Sequence, residues 1–461
     1  MSSTPVITKL PVGITGFDEI SLGGLPQGRS TLLAGTSGSG KTLFALQYLV
    51  AGIREKGENG VLVTFEEAPA DIIRNVADLG WDLNTMIEDG QLAIVDASPT
   101  PGQEVIVTGA FDFSALLARI EHAAQKVSAQ RVVLDSIGAV FPQLTSAHTV
   151  RRELHRITRG LRHMGVTTLV TVERVEEYGP VARFGIEEFV SDNVVILRNP
   201  LEQEKRRRTI EILKFRGASH AKGEYPFTID AENGVTIIPL SSIQLKQKSS
   251  DIRISSGNGE LDTMCGGGMY RDSIILVSGA TGTGKTLMVT TFLGAAIAAG
   301  ERSLLLAFEE SREQLFRNAA GWGIDFRSAE QSGLLRVQCT YPEQASLEDH
   351  LISIKRVIEA FKPDRIAIDS LSALERMSTE KSFREFVIGI TSHIKDLDVP
   401  GMFTNTTSML LGGESITETH ISTITDSIFL LRYVELQGRM RRGLTVLKMR
   451  GSWHDKQIRE Y

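Results

Sequence analysis

The chain has 461 residues, 41% of them hydrophobic and 23% charged, with a formal net charge of −6. That length suits two domains, the composition excludes an intrinsically disordered chain, and the acidic balance disfavours a nucleic-acid polyanion as the main partner. No apolar run reaches the about 18 residues of a membrane span, and two cysteines, Cys265 and Cys339, supply neither a disulfide framework nor a metal-ligand spacing.

The N-terminal stretch MSSTPVITKLPVG lacks an apolar signal core, so a cytoplasmic protein is expected. The segment STLLAG then reads as a buried strand. It runs into GTSGSGKT, Gly35–Thr42, which is followed by the helix-period segment TLFALQYLVAGIREKG. A strand, a G-x-x-x-x-G-K-[ST] loop and a helix together make a phosphate cradle: the glycines let successive backbone N–H groups turn inward, and the helix N-terminus adds positive potential. Gly38, Ser39, Gly40, Lys41, Thr42 and Leu43 are therefore candidate ATP contacts. Lys41 is expected at the β- and γ-phosphates, and the Thr42 hydroxyl at Mg²⁺.

Further along, GVLVTF is a strand that ends in Glu66 and Glu67. One carboxylate of that pair is expected to face the site and to orient the attacking group, with capping of the next helix as the bland alternative. RVVLD is a strand whose last residue, Asp135, stands where P-loop enzymes hold the magnesium shell. TTLVTV and DNVVIL are further strands. The basic run KRRR, Lys205–Arg208, is flanked by alternating residues and reads as a solvated hairpin, with an anion site as the alternative. In LKFRGASH, Lys214 and Arg216 fall on one face of a strand-like run, with Phe215 between them and His220 beyond; such cations could neutralise phosphate in a neighbouring subunit.

The polar, Ser/Lys-rich stretch at 239–258 reads as a linker between a first domain at about 1–240 and a second at about 250–461. Beyond it the pattern repeats. GATGTGKT (Gly279–Thr286) offers Thr281, Gly282, Thr283, Gly284, Lys285 and Thr286. LAFEE supplies Glu309 and Glu310, RIAID supplies Asp369, and LKMRGSWH supplies Lys448, Met449, Arg450, Ser452 and His454. Glu66 and Glu309 are the expected bases. Glu309 is also expected in the magnesium set with Thr286 and Asp369. Strands alternating with helices in both halves imply an α/β fold, each half a mostly parallel sheet covered by helices on both faces. One stretch breaks the symmetry. ITETHISTITDS carries Thr417, Ser422 and Thr423, where the first half reads ARFGIEEFVSDN and places Glu188 and Phe189.

With FEE after the second strand of each half, ARFGIEEFVSDNVVILRN in the first and HISTITD and KMRGSWHDKQIRE in the second, the chain resembles the KaiC family of circadian clock proteins over essentially its whole length. The resemblance implies two tandem RecA-like P-loop NTPase domains and a double-ring homohexamer with ATP between neighbours. It implies a slow ATPase in the first ring, with Glu66 as base. The second ring would be an autokinase and autophosphatase, with Glu309 as base, acting on Ser422 and Thr423, with Thr417 as an accessory threonine. It also places Trp322, Arg442, Ser452 and Lys448–Arg450 at the second nucleotide site. Cyanobacterial members continue past the position of Tyr461 with a tail that receives KaiA, so regulation by KaiA is doubtful and phosphorylation without it is expected. Binding of KaiB to the first ring is compatible with the sequence. A DNA-handling RecA-type motor and a nucleotide-gated scaffold are the other readings of the same P-loop core.

Overall fold

The computed structural model describes residues 7–98, 113–139, 147–181, 191–202, 205–239, 249–407 and 420–461. The chain divides into two units, Met1–Ser242 and Ile243–Tyr461. Among the described residues no helix is long and apolar enough to cross a membrane.

The first unit is built on β1 (Ser30–Gly35), α1 (Lys41–Ala51), β2 (Gly60–Thr64), β3 (Leu92–Asp96), α2 (Phe113–Val127), β4 (Arg131–Asp135), α3 (Ala147–His163), β5 (Thr167–Glu173), β6 (Asn193–Arg198), β7 (Thr209–Phe215), β8 (Glu224–Asp230) and β9 (Gly234–Ile237). Among the described residues its main sheet has nine strands in the order β9-β8-β7-β6-β1-β5-β4-β2-β3. The stretch from β6 to β3 is parallel, and β7 to β9 are antiparallel additions. Both faces are buried: Leu33 and Val133 join one core, while Leu32, Ala34, Val132 and Leu134 join the other. That is why the strands read as continuous apolar runs rather than as alternation.

The second unit repeats this plan with β10 (Ile274–Gly279), α4 (Lys285–Ala298), β11 (Ser303–Ala307), α5 (Arg312–Gly321), β12 (Leu335–Cys339), α6 (Leu347–Phe361), β13 (Arg365–Asp369), α7 (Glu380–Asp396), β14 (Gly401–Thr406), β15 (Ser427–Leu436), β16 (Arg439–Met449) and β17 (Arg459–Glu460). Its described sheet has eight strands, β12-β11-β13-β14-β10-β15-β16-β17. In both units the phosphate-loop strand lies inside the sheet, next to the strand that follows the Asp-bearing one. The linker expected at 239–258 is too long, because Arg253–Ile254 already pairs with Met269–Tyr270. The solvated hairpin is present, with Lys205 opposite Glu202 and Arg206 opposite Leu201.

A buried arginine fastens each phosphate-loop helix to its sheet. Arg131, at the start of β4, is fully buried. Its guanidinium donates to Glu58 (2.7 Å) and to the carbonyls of Tyr48 (2.7 Å), Pro11 (2.8 Å) and Val12 (3.2 Å). It also stacks 4.6 Å from the Tyr48 ring on α1. Arg365 repeats the arrangement with Glu301 (2.9 Å), the Ser255 carbonyl (2.7 Å) and the Phe292 ring on α4 (5.1 Å). Only a planar fork of donors can serve so many acceptors at once. Arg131→Ala strands three carbonyls and is expected to lower the stability of the first unit by about 3 kcal/mol. Hydrogen exchange of the α1 amides measures this; unchanged protection would show that the guanidinium does not fasten the helix.

Candidate nucleotide sites

Each phosphate loop leaves the carboxyl end of a central parallel strand, where ligands of open α/β sheets bind. Gly40 and Gly284 cap α1 and α4 at φ of 94° and 107°. Only glycine adopts that region without strain, and an added Cβ at Gly40 would lie 2.7 Å from Ile229 and at Gly284 2.8 Å from the Tyr461 ring. Lys41 Nζ donates to the Thr36 carbonyl at 2.8 Å. Lys285 Nζ donates to the carbonyls of Gly279 and Ala280 at 2.8 and 2.9 Å. Burial holds both ammonium groups below the usual lysine range, against nearby carboxylates that pull them back up. Each is a cation set to receive an anion.

A cavity of 470 Å³ in the first unit is lined by Gly38, Gly40, Lys41, Thr42, Leu43, Glu66, Glu67, Asp135, Glu173 and Arg208 among others. One of 540 Å³ in the second is lined by Thr281, Gly282, Gly284, Lys285, Thr286, Glu309, Glu310, Trp322, Asp369, Arg376, Thr406 and Arg442 among others. Ser39 and Thr283 do not line them. Both are buried, and their hydroxyls donate to the loop carbonyls of Thr36 (2.8 Å) and Ala280 (2.7 Å), so their side chains shape the turn.

The two Glu pairs are sorted by the same device. Glu67 accepts from Asn75 (3.3 Å) and Glu310 from Asn318 (3.2 Å), so the second member of each pair is tied to the next helix by a side chain the sequence reading missed. The capping alternative fails in the second unit, where Ser311 and Gln314 form the capping box of α5. The first members differ. Burial, then Asp135 and Glu173, push the Glu66 carboxyl above the usual range. For Glu309 burial acts upward too, but hydrogen bonds from Arg376 and from Ser370 Oγ (2.7 Å) outweigh it and hold the carboxyl below that range.

Asp369 is buried, and it accepts from Thr286 Oγ1 at 2.7 Å and from Thr404. Asp135 accepts in the same way from Thr171. These threonines, two residues before the end of β5 and of β14, carry no sequence signal of their own. A loop hydroxyl against a carboxylate is the hard-oxygen donor set that Mg²⁺ takes together with phosphate and water. Among the described residues no group of three or more His, Cys, Asp or Glu is placed to hold a metal ion.

Other expected contacts lie elsewhere. Phe215 is level with Asn193, and Asn193 with Thr31, at the start of the phosphate-loop strand rather than at its Gly35 end. Met449 is likewise level with Ser427, and Ser427 with Ile275. The cations therefore occupy the opposite edge of the sheet from their own loop, about 15 Å of strand away. There Lys214 donates to the Ser191 carbonyl (3.0 Å), and Arg216 stands 3.7 Å from Asp192. Lys448 donates to the Thr425 carbonyl (2.7 Å), and Arg450 to that of Thr423 (2.7 Å). Phe215 and Met449 bury their side chains in their own cores. The His220 ring contacts Phe215 at 5.5 Å, and Ser452 accepts from Arg253 at 2.6 Å. Thr423 is exposed, in a short turn, His420–Thr423, on this same edge. Thr417, Glu188 and Phe189 lie outside the described residues, as does the side chain of Ser422.

The family model described as "ATPase: KaiC" matches residues 10–242 and again 254–461. "Circadian clock protein KaiC3" of Synechocystis sp. is 62% identical, covering 99% of this chain and 90% of its own length. "Circadian clock oscillator protein KaiC" is 60% identical in Thermosynechococcus vestitus and 58% in Synechococcus elongatus, each covering 100% of this chain and 88% of its own length. With a phosphate loop, a glutamate pair and a strand-end aspartate in each of two matched repeats, the chain belongs to the KaiC family of ATPases.

Proposed function

We propose that the chain is an ATP-hydrolysing autokinase and autophosphatase of a circadian clock or timer, whose second unit phosphorylates Ser422 and Thr423 of a neighbouring copy. The observation that carries the reading is the placement of Thr423, Lys448 and Arg450 on the edge of the sheet opposite their own phosphate loop. No hydroxyl there can reach the γ-phosphate of its own site, whereas a neighbour packed edge to loop brings the two together. Repeating that heterologous contact gives a closed ring where the rotation between copies closes. Six copies, and KaiB as a partner of the first unit, follow from the resemblance to the clock proteins.

In the second site the acceptor O–H attacks the γ-phosphorus in line. Its oxygen forms the new P–O bond, the bond to the β–γ bridging oxygen breaks, ADP leaves, and Glu309 takes the hydroxyl proton. Lys285 and the loop N–H groups hold the phosphates, and Arg450 with Lys448 from the neighbour offsets the charge of the transferring group. Mg²⁺, held by Thr286 and Asp369 with Glu309 nearby, and by Thr42 and Asp135 in the first site, would supply charge neutralisation. In the first site Glu66 takes a proton from water instead. Trp322 and Arg442 line the second pocket, where a ring and a guanidinium suit a nucleotide base and its phosphates.

Three outcomes test this. Lys285→Ala chains mixed with Ser422→Ala/Thr423→Ala chains are expected to acquire phosphate on the Lys285→Ala partner, read by mass spectrometry; no phosphate in the mixture would rule out transfer between copies. Glu309→Gln should slow labelling of Thr423 by about a hundredfold while Glu66→Gln mainly lowers ATP turnover; bulk hydrolysis unaffected by Glu66→Gln would remove the slow ATPase from the first unit. Because the Glu66 pKa is raised and that of Glu309 lowered, Glu66 protonates first on acidification. Hydrolysis should therefore fall at a higher pH than phosphoryl transfer, and two pH profiles on one preparation with the reverse order would contradict the assignment.

A further inference from the structure

The two sites differ at one position that sequence matching leaves unpaired. In the first sheet Gly35, the last residue of the phosphate-loop strand, is level with Glu173. In the second, Gly279 is level with Thr406. The backbone repeats this equivalence, since Arg174 N donates to the Gly35 carbonyl and Thr407 N to that of Gly279. Glu173 and Thr406 thus tip the strand between the loop and the Asp-bearing strand, and each lines its cavity. Among the charges acting on Lys41, Glu173 is the strongest carboxylate. The described lining of the first cavity carries Glu66, Glu67, Asp135 and Glu173 against Lys41 and Arg208. The second carries Glu309, Glu310 and Asp369 against Lys285, Arg376 and Arg442.

We propose that Glu173 is a second hydrogen-bond acceptor for the attacking water of the first site, and that Thr406 in its place biases the second site towards transfer to an alcohol. Water has two O–H bonds. Holding its lone pair in line with the γ-phosphorus requires both hydrogens to be directed away, which takes two acceptors. A serine or threonine hydroxyl has one O–H and is already fixed by its chain, so one carboxylate is enough. In the hydrolytic step the water oxygen bonds to the γ-phosphorus, the bridging P–O bond breaks, Glu66 receives the proton, and Glu173 accepts a hydrogen bond from the second O–H, which stays on the product phosphate. This rests on the assignment of hydrolysis to the first unit and of transfer to the second.

The test has two arms. In a chain whose second loop is silenced by Lys285→Ala, Glu173→Gln keeps the shape and removes the acceptor charge. ATP turnover is expected to fall about tenfold, the scale of one hydrogen bond to a charged group, with KM unchanged or lower. In a Glu66→Gln chain, Thr406→Glu is expected to raise the initial ratio of inorganic phosphate released to phosphoryl retained on protein above that of Thr406→Val, which fills the position without an acceptor. The partition is a readout that a structural role would not move. Unchanged turnover in Glu173→Gln overturns the proposal, and so does an unchanged partition in Thr406→Glu with Thr406→Val folded. Absence of phosphoprotein in the unsubstituted chain would instead refute the autokinase reading, while the hydrolysis arm still decides the role of Glu173.

Discussion

A lysine ammonium buried at the end of a tight backbone loop has to be matched by negative charge, and both units are organised around that requirement. Lys41 and Lys285 rest on carbonyl oxygens of their own loops, which engage one N–H of Lys41 and two of Lys285 without cancelling their charge. Inward-facing N–H groups and a helix N-terminus add to the same positive centre. The carboxylates that end neighbouring strands stand around this centre. They are close enough to oppose the loss of charge on the lysine, and they leave a cavity between. A polyphosphate completes the balance, and carboxylates placed at its far end can act on whatever attacks it.

The same framework is tuned twice. Glu309 has one oxygen engaged by Arg376 and the other by Ser370, so its charge is stabilised before any ligand arrives. Glu66 is surrounded by other carboxylates and holds its proton more tightly. Two carboxylates of different basicity on one fold suit the two roles proposed for them, towards a mobile water and towards a tethered alcohol. The framework itself does not differ. The buried arginines, the threonines on the strand-end aspartates and the asparagines on the second glutamates recur in both units.

Placement on the sheet also underlies the proposed division of the site between copies. Parallel strands send all their carboxyl ends to one edge, and the loop, the glutamate pair and the aspartate lie there. The antiparallel strand after the last parallel one runs the other way, so its final residues, Lys214 to Arg216 or Lys448 to Arg450, finish at the far edge. A cation presented at that edge lies out of reach of the phosphate loop of its own unit.

The sequence by itself determined the duplication, the alternation of strands and helices, both phosphate loops, the glutamate pairs and the strand-end aspartates. Each of these is a local pattern, written in adjacent residues whose chemistry and spacing are legible without the fold. The solvated hairpin at Lys205 and Arg206 was legible in the same way, although Arg208 beside it lines the first cavity. Only the tertiary structure decided what depends on register between distant strands. It set Glu173 and Thr406 each beside the phosphate loop of its own unit, brought Thr171 and Thr404 onto the aspartates, sank Arg131 and Arg365 beneath the loop helices, and set the cations on the edge away from their own loops. Those residues carry no motif because their partners are far away in the chain. A side chain's role is fixed by what the sheet places beside it, and strand order and pairing register are properties of the whole fold.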